Sequence, residues 1–179
     1  AINGDTVFVY AESSPYNESV IIDKSITVKG ENKHTTIVGY KLGTGFSIES
    51  DYVIITGFTI RNIGCGISIG GPSKTASYNT VSDNIILDTG SGIVIYYGDP
   101  YTPGFSNYGY NIISDNTIIN TSYYAIRSRQ GRNNIITRNI ISENHAEGNY
   151  GYGIVILEGA FNKISYNNIY NNDRFGIAL

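Results

Sequence analysis

The sequence predicts an all-β chain wound as a right-handed, single-stranded parallel β-helix, a solenoid of about six coils. Three observations predict it. An Asn-x-(Ile/Val)-x-x-Asn-x-Ile phrase occurs four times. Each copy leads, after a turn, to a small residue and a short β-branched run. No window carries the period of an amphipathic helix, whereas isoleucine and tyrosine favour pleated strands and Asn and Gly supply turns.

The phrases run Asn79–Ile86, Asn111–Ile118, Asn134–Ile141 and Asn162–Ile169. From Asn116 to Asn139 is 23 residues, about the length of three short strands and three turns. Alternation places Val81 and Ile86, Ile113 and Ile118, Ile136 and Ile141, and Ile164 and Ile169 on one inward face. The third strand of each coil follows a small residue: Gly92–Ile95, Ala125–Ser128, Gly153–Ile156 and Gly176–Leu179, with Gly45–Ile48 and Gly66–Ile69 as earlier versions. One coil has no way to bury its apolar side alone, but stacked coils share a continuous core with strands about 4.8 Å apart.

Asn84, Asn116, Asn139 and Asn167 fall where two strands meet at a bend. Asn tolerates left-handed backbone angles, and its amide reaches the equivalent Asn of the next coil. An internal amide ladder, not a ligand site, is therefore expected of them. Before residue 79 the pattern diverges but still stacks, with strands expected in Gly4–Tyr10, Ser19–Ile22, Ser25–Val28, Thr36–Val38 and Tyr52–Ile55. Residues 1–179 read as a single β-helix domain, a piece of a longer surface or secreted protein.

Composition narrows the function. With 12 basic against 15 acidic residues there is no general cationic surface, and nucleic acid is not an expected partner. Cys65 is the only cysteine, so no internal disulfide forms. No apolar stretch is long enough to span a bilayer, and no signal peptide is present. The sequons Asn17-Glu-Ser19 and Asn120-Thr-Ser122 are what chance supplies in an Asn-rich chain.

The opening coils carry a resemblance. Gly4-Asp-Thr-Val-Phe-Val-Tyr10, Tyr16 through Gly30, and Gly57-Phe-Thr-Ile-Arg-Asn62 resemble the NosD-like right-handed parallel β-helix family. The later Asn phrases resemble its short parallel β-helix repeats, so the likeness covers nearly the whole chain. It implies membership of the carbohydrate-binding and sugar-hydrolysis group of β-helix domains. That group spans surface proteins of archaea and bacteria, polysaccharide-active enzymes, and a periplasmic protein tied to copper-site maturation. An extracellular or cell-surface location, or a periplasmic one, follows from the resemblance, with other domains of the parent chain as partners.

A solenoid's function tends to lie where its repeat is interrupted. Asn84 to Asn116 is 32 residues and Asn139 to Asn167 is 28, so both exceed the 23-residue coil. The first excess yields a loop with Tyr96, Tyr97, Asp99, Tyr101, Phe105, Tyr108 and Tyr110. The second yields Asn144 to Tyr152, with His145, Glu147, Tyr150 and Tyr152. Both flank the strand around Tyr124 and Ile126, on which Arg127 and Arg129 point outward beside Val94, Tyr96, Val155 and Leu157. The expected site is a shallow groove with an arginine floor and tyrosine walls. Arginine forks match carboxylate or sulfate, and aromatic faces stack on sugar rings, which suits an acidic polysaccharide. The competing reading is of arginines that keep the solenoid soluble, in a non-catalytic structural or adhesive segment of a surface protein.

Catalysis stays open at this point. Resemblance to β-helix polysaccharide lyases would make Arg127, Arg129 or a loop tyrosine the base, with a cation held by Asp99 or Glu158. Hydrolysis needs two carboxylates at a set separation, and the outward strand positions supply only Glu158 besides the loop acids Asp88, Asp99 and Glu147. No cofactor is expected. His34, Cys65 and His145 are scattered, there is no methionine, and only His145 beside Glu143 and Glu147 forms a cluster. Loop carboxylates permit calcium without supporting it, because Asp-rich calcium repeats are absent.

Overall fold

A computed structural model describes residues 1–39, 43–71, 74–96, 109–145 and 150–179. The chain is a right-handed parallel β-helix. Its first level holds β1 (Thr6–Val9) and β2 (Val20–Ile22), and its second holds β3 (Thr27–Gly30), β4 (Ile37–Gly39) and β5 (Thr44–Ile48). In the next three levels a short strand precedes one long curved strand. These are β6 (Ile54–Thr56) with β7 (Thr59–Ile69), β8 (Thr80–Ser82) with β9 (Ile85–Ile95), and β10 (Ile112–Ser114) with β11 (Thr117–Arg129). The sixth level holds β12 (Ile135–Thr137), β13 (Ile140–Ser142) and β14 (Tyr152–Leu157). The seventh holds β15 (Lys163–Ser165), β16 (Asn168–Tyr170) and β17 (Ile177–Ala178).

The first strands of the levels form a seven-stranded sheet, β1-β3-β6-β8-β10-β12-β15, so the stack is one level taller than the sequence spacing suggests. The remaining strands share a ten-stranded sheet. Pairings between strands are parallel throughout, and each copy of the repeat meets the next in register. Parallel crossovers place the core inside the coil.

That core is an isoleucine column at each inward position. Ile55, Val81, Ile113 and Ile136 stack in the first sheet; Ile60, Ile86, Ile118 and Ile141 follow the bend; Ile67, Ile93, Ile126 and Ile154 line the third side, and all are fully buried. Each buried isoleucine contributes about 1.5–3 kcal/mol relative to exposure. Small residues begin the third side because the backbone turns tightly there. A side chain on Gly92 would place its Cβ 2.4 Å from the carbonyl oxygen of Ala125 in the next coil.

The bends hold the asparagines inside. Asn84 Nδ2 donates to the carbonyls of Ile55 (3.0 Å) and Ser82 (3.0 Å), and its backbone N–H donates to Asn116 Oδ1 (3.1 Å). Asn116 repeats this toward Asn139 (3.0 Å), and Asn139 toward Asn167 (2.9 Å). The amide ladder is as expected, but its backbone differs from the sequence reading. The left-handed angles belong to the preceding residues, Asp83 (φ 55°), Asp115 (φ 60°), Arg138 (φ 54°) and Tyr166 (φ 57°). This ordering has a reason. The strained, solvent-facing residue makes the turn, which swings the following amide inward to meet the backbone groups the turn leaves unpaired.

A second ladder starts from the first Asn of each phrase. Asn79 N–H donates to Asn111 Oδ1 (2.9 Å), Asn111 to Asn134 (3.0 Å) and Asn134 to Asn162 (3.0 Å). A third joins Thr121 to Asn144 (2.9 Å) and Asn144 to Asn172 (3.3 Å). At Asn62, Asp88 and Asn120 a single left-handed residue (φ 53–54°) bends the chain without breaking its pairing. Two predicted strands therefore fuse into each of β7, β9 and β11.

Two stability measurements test this register. Ile141→Ala is expected to cost about 2–5 kcal/mol in denaturant unfolding through the cavity it leaves. Asn116→Ala removes the acceptor for Asn84 N–H and the donor to Val81 O (2.9 Å), and should cost at least about 2 kcal/mol. A loss below about 1 kcal/mol in either would contradict the inward placement.

Candidate functional site

The third side of the coil exposes columns of residues, one from each level. One column reads Ser47, Ser68, Val94, Arg127, Val155 and Ala178. A neighbouring column reads Thr44, Cys65, Ser91, Tyr124 and Tyr152. Alternation along β11 turns Ile126 and Ser128 inward, which leaves Arg127 half-buried and Arg129 exposed on the outer face.

Arg127 is a held arginine, not a solvated one. Its strand neighbours Val94 and Val155 are each 4% exposed although they face outward. Its guanidinium carbon lies 5.1 Å from the ring centroid of Tyr124, within cation–π range. Its Nε is buried with no hydrogen-bond partner among the described residues. A buried donor without a partner is unfavourable, and an acceptor reaching the rest of the half-buried fork gains more than one placed at a hydrated cation.

Aromatic rings extend the site toward the later coils. Tyr124 stacks on Tyr152 at 5.4 Å and 23°, and Tyr150 meets Tyr124 edge-on at 6.4 Å and Tyr123 edge-on at 5.0 Å. The guanidinium of Arg174 lies 5.9 Å from the Tyr152 ring, and Phe175 tilts against that ring at 6.1 Å. Tyr123, Arg174 and Phe175 were not among the residues expected from sequence. Arg174 and Phe175 fall outside the strands and Tyr123 at the register shift within β11, where neither periodicity nor repeat spacing assigns a direction.

Toward the earlier coils stands Tyr96, which follows β9 and is 38% exposed. Burial pushes its phenol up from the ordinary value, Cys65 adds to this, and Arg127 opposes it. Tyr96 is thus a hydrogen-bond donor at neutral pH, and its own surroundings disfavour a phenolate base. Glu158 follows β14 at a left-handed turn (φ 55°) and accepts from Gln130 Nε2 at 2.8 Å. It lines a different hollow, with Phe161 and Leu179, near the last coil. Tyr97, Asp99, Tyr101, Phe105, Tyr108 and Glu147 lie outside the described residues. Asp88, the remaining loop acid, sits at a bend and accepts from Asn120 Nδ2 at 2.8 Å.

Residues 1–179 match the model of a family described as NosD, periplasmic copper-binding protein. No curated protein matches the chain. Among solved structures, an arginine-to-alanine mutant of AlyGC, a PL6 family alginate lyase, is similar in fold with a TM-score of 0.62 at 14% identity. The alignment covers 89% of this chain and 24% of the lyase, so the chain spans about a quarter of that protein's length.

The copper in the family's description is a test for the donors present. Copper favours thiolate, thioether and imidazole. The sequence has no methionine, and burial pushes the Cys65 thiol up to about 12, so its sulfur keeps the proton. His145 Nδ1 is engaged with Asp173 at 2.8 Å. Among the described residues no three of His, Cys, Asp and Glu converge. These residues do not fit a copper ion. Adding Cu(I) or Cu(II) at one equivalent should therefore leave the thermal unfolding midpoint unmoved, whereas a rise would reveal a site through ligand linkage.

Proposed function

This chain belongs to the NosD family, and from that premise we propose that it is an extracytoplasmic β-helix that binds acidic polysaccharide on the outer face around Arg127 and Arg129. The observation that carries this reading is the state of Arg127. Its cation is held over Tyr124 between two buried valines, with Nε–H unpartnered among the described residues. A carboxylate or sulfate oxygen pairs with the remaining N–H groups of the half-buried fork, and the planar fork favours such groups over a spherical anion. Arg129, two residues along the same strand and exposed, adds a second cation on the same face.

The tyrosines suit the remainder of a sugar. Tyr96 and Tyr150 stand at the edges of the arginine patch, each partly exposed. An aromatic face stacks on the apolar face of a pyranose while its hydroxyl takes part in hydrogen bonds. Tyr124 and Tyr152 already pair with each other, so they brace Arg127 and offer a smaller free surface to a ligand. Alginate, the substrate named for the structurally similar lyase, belongs to the acidic class that this patch suits.

The described residues favour binding over cleavage. Elimination from a uronate needs a base at the C5 proton, and Arg127 and Arg129 stay protonated in proteins. Tyr96 is pushed away from the phenolate. Hydrolysis needs two facing carboxylates, and Glu158 lies in a separate hollow. The arginines therefore serve as anchors for a chain of sugars.

Native electrophoresis through gels containing alginate, beside gels containing a neutral glucan, tests this function. Retardation by alginate alone is expected. Arg127→Ala with Arg129→Ala should weaken it about ten-fold or more, since charge-assisted hydrogen bonds contribute about 1.5–3 kcal/mol each. The same double variant should move the unfolding free energy by less than about 1 kcal/mol, because both guanidiniums lie outside the isoleucine core. Equal migration in every gel would leave a structural surface segment as the function.

A further inference from the structure

The face that carries Arg127 has a second half with different chemistry. In the earlier coils its column holds Ser47 and Ser68 where the fifth coil holds arginine. These small side chains leave a notch of about 290 Å³. Ser47, Ser68, Glu49 and Tyr96 line it together with Thr44, Cys65, Gly70 and Gly71. No charge dominates it. Glu49 is neutralised by an ion pair with Lys74, and the Tyr96 phenol is held protonated by burial.

The notch offers donors and acceptors together. Ser68 Oγ donates to Ser47 Oγ at 3.3 Å, and each hydroxyl keeps further hydrogen-bonding capacity. The Glu49 carboxylate accepts from Lys74 and has lone pairs to spare. Tyr96 donates from its hydroxyl and presents part of its ring as a wall. Sugar hydroxyls are donors and acceptors at once, so they match this mixture. A uronate carboxylate only accepts, and here it would face Glu49 without an unpaired cation. The arginine patch has the opposite preference.

The two halves are close and collinear. Ser68 pairs with Val94 and Val94 with Arg127, so two strand spacings, about 10 Å, separate the serine from the arginine. Resting on the binding function proposed above, we infer that the glycan runs along the solenoid axis, across the strands, with a uronate on Arg127 and an uncharged sugar residue in the Ser47–Ser68 notch. Two strand spacings match about two sugar residues along an extended glycan, so the ligand class is a mixed glycan in which a neutral residue stands two positions from a uronate. A uniform polyuronate satisfies only the arginine half.

Calorimetric titration with two defined probes tests this. Deacylated gellan octasaccharide carries one uronate in every four sugars, so the residue two places from it is neutral, and alginate octasaccharide contains only uronates. The first should bind about ten-fold more tightly, the worth of one or two net hydrogen bonds. Gly71→Val adds bulk at the notch lining with little risk to the fold, because a Cβ there meets nothing within 4 Å. Ser47→Leu adds bulk at a second lining position. Either variant should erase the preference while leaving alginate affinity in place, and the double arginine variant should lose both ligands. Should Gly71→Val and Ser47→Leu keep the preference, or the unmodified chain bind alginate equally well, the notch assignment is wrong while the arginine anchor stands. Should the unmodified chain bind neither probe, the anchor fails and the notch with it.

Discussion

Satisfying the backbone at three buried bends per coil is the constraint on which the rest of this structure depends. A parallel β-helix pairs the main chain along its strands, but every corner leaves N–H and C=O groups facing inward, away from water. Asparagine meets that demand because one side chain both accepts and donates. Asn116 takes the N–H of Asn84, donates to Val81 O and passes its own N–H to Asn139. Repeated at each level, this fixes the register of successive coils. A one-residue slip would strand the amides and turn the isoleucine columns outward together.

Register in turn decides what stands beside what on the surface. Once Ile126 is locked between Ile93 and Ile154, Arg127 falls between Val94 and Val155. The tyrosines at the left-handed corners obey the same rule. Tyr52, Tyr78 and Tyr110 stack at 5.1 and 4.9 Å with planes 8° apart, because each occupies one corner of a successive coil. The outer surface is therefore a read-out of the inner ladder, and its chemistry changes level by level while the scaffold does not. Along the third side it passes from hydroxyls, through valine, to arginine.

Family membership fits this division of labour. The scaffold residues repeat, and the match to the NosD family runs from residue 1 to residue 179. The likeness to a lyase at 14% identity is a likeness of coil geometry. The copper of the family's description finds no matching donor set among the described residues. Cys65, the one sulfur donor, is a partly exposed residue of the notch wall whose thiol burial pushes up.

The sequence by itself determined the fold class, the inward columns and the existence of an asparagine ladder, because a repeat forces equivalent residues into equivalent positions. It also placed Arg127 and Arg129 outward, since alternation about Ile126 allows nothing else. It misassigned the left-handed corners, because turn propensity favours Asn while the corner here belongs to the residue before it. It also missed the notch, although serine at the outward position of Gly45–Ile48 and Gly66–Ile69 was there to read. Only the tertiary structure decided that Arg127 rests on Tyr124, that Tyr152 braces that ring, and that Glu158 lies in another hollow. Tyr124 and Tyr152 lie a coil apart, and Arg127 reaches back along its own strand, so these contacts depend on side-chain rotamers and on the packing of coils. Period and alternation fix where a backbone runs, whereas the packing of neighbouring coils sets where a long side chain ends.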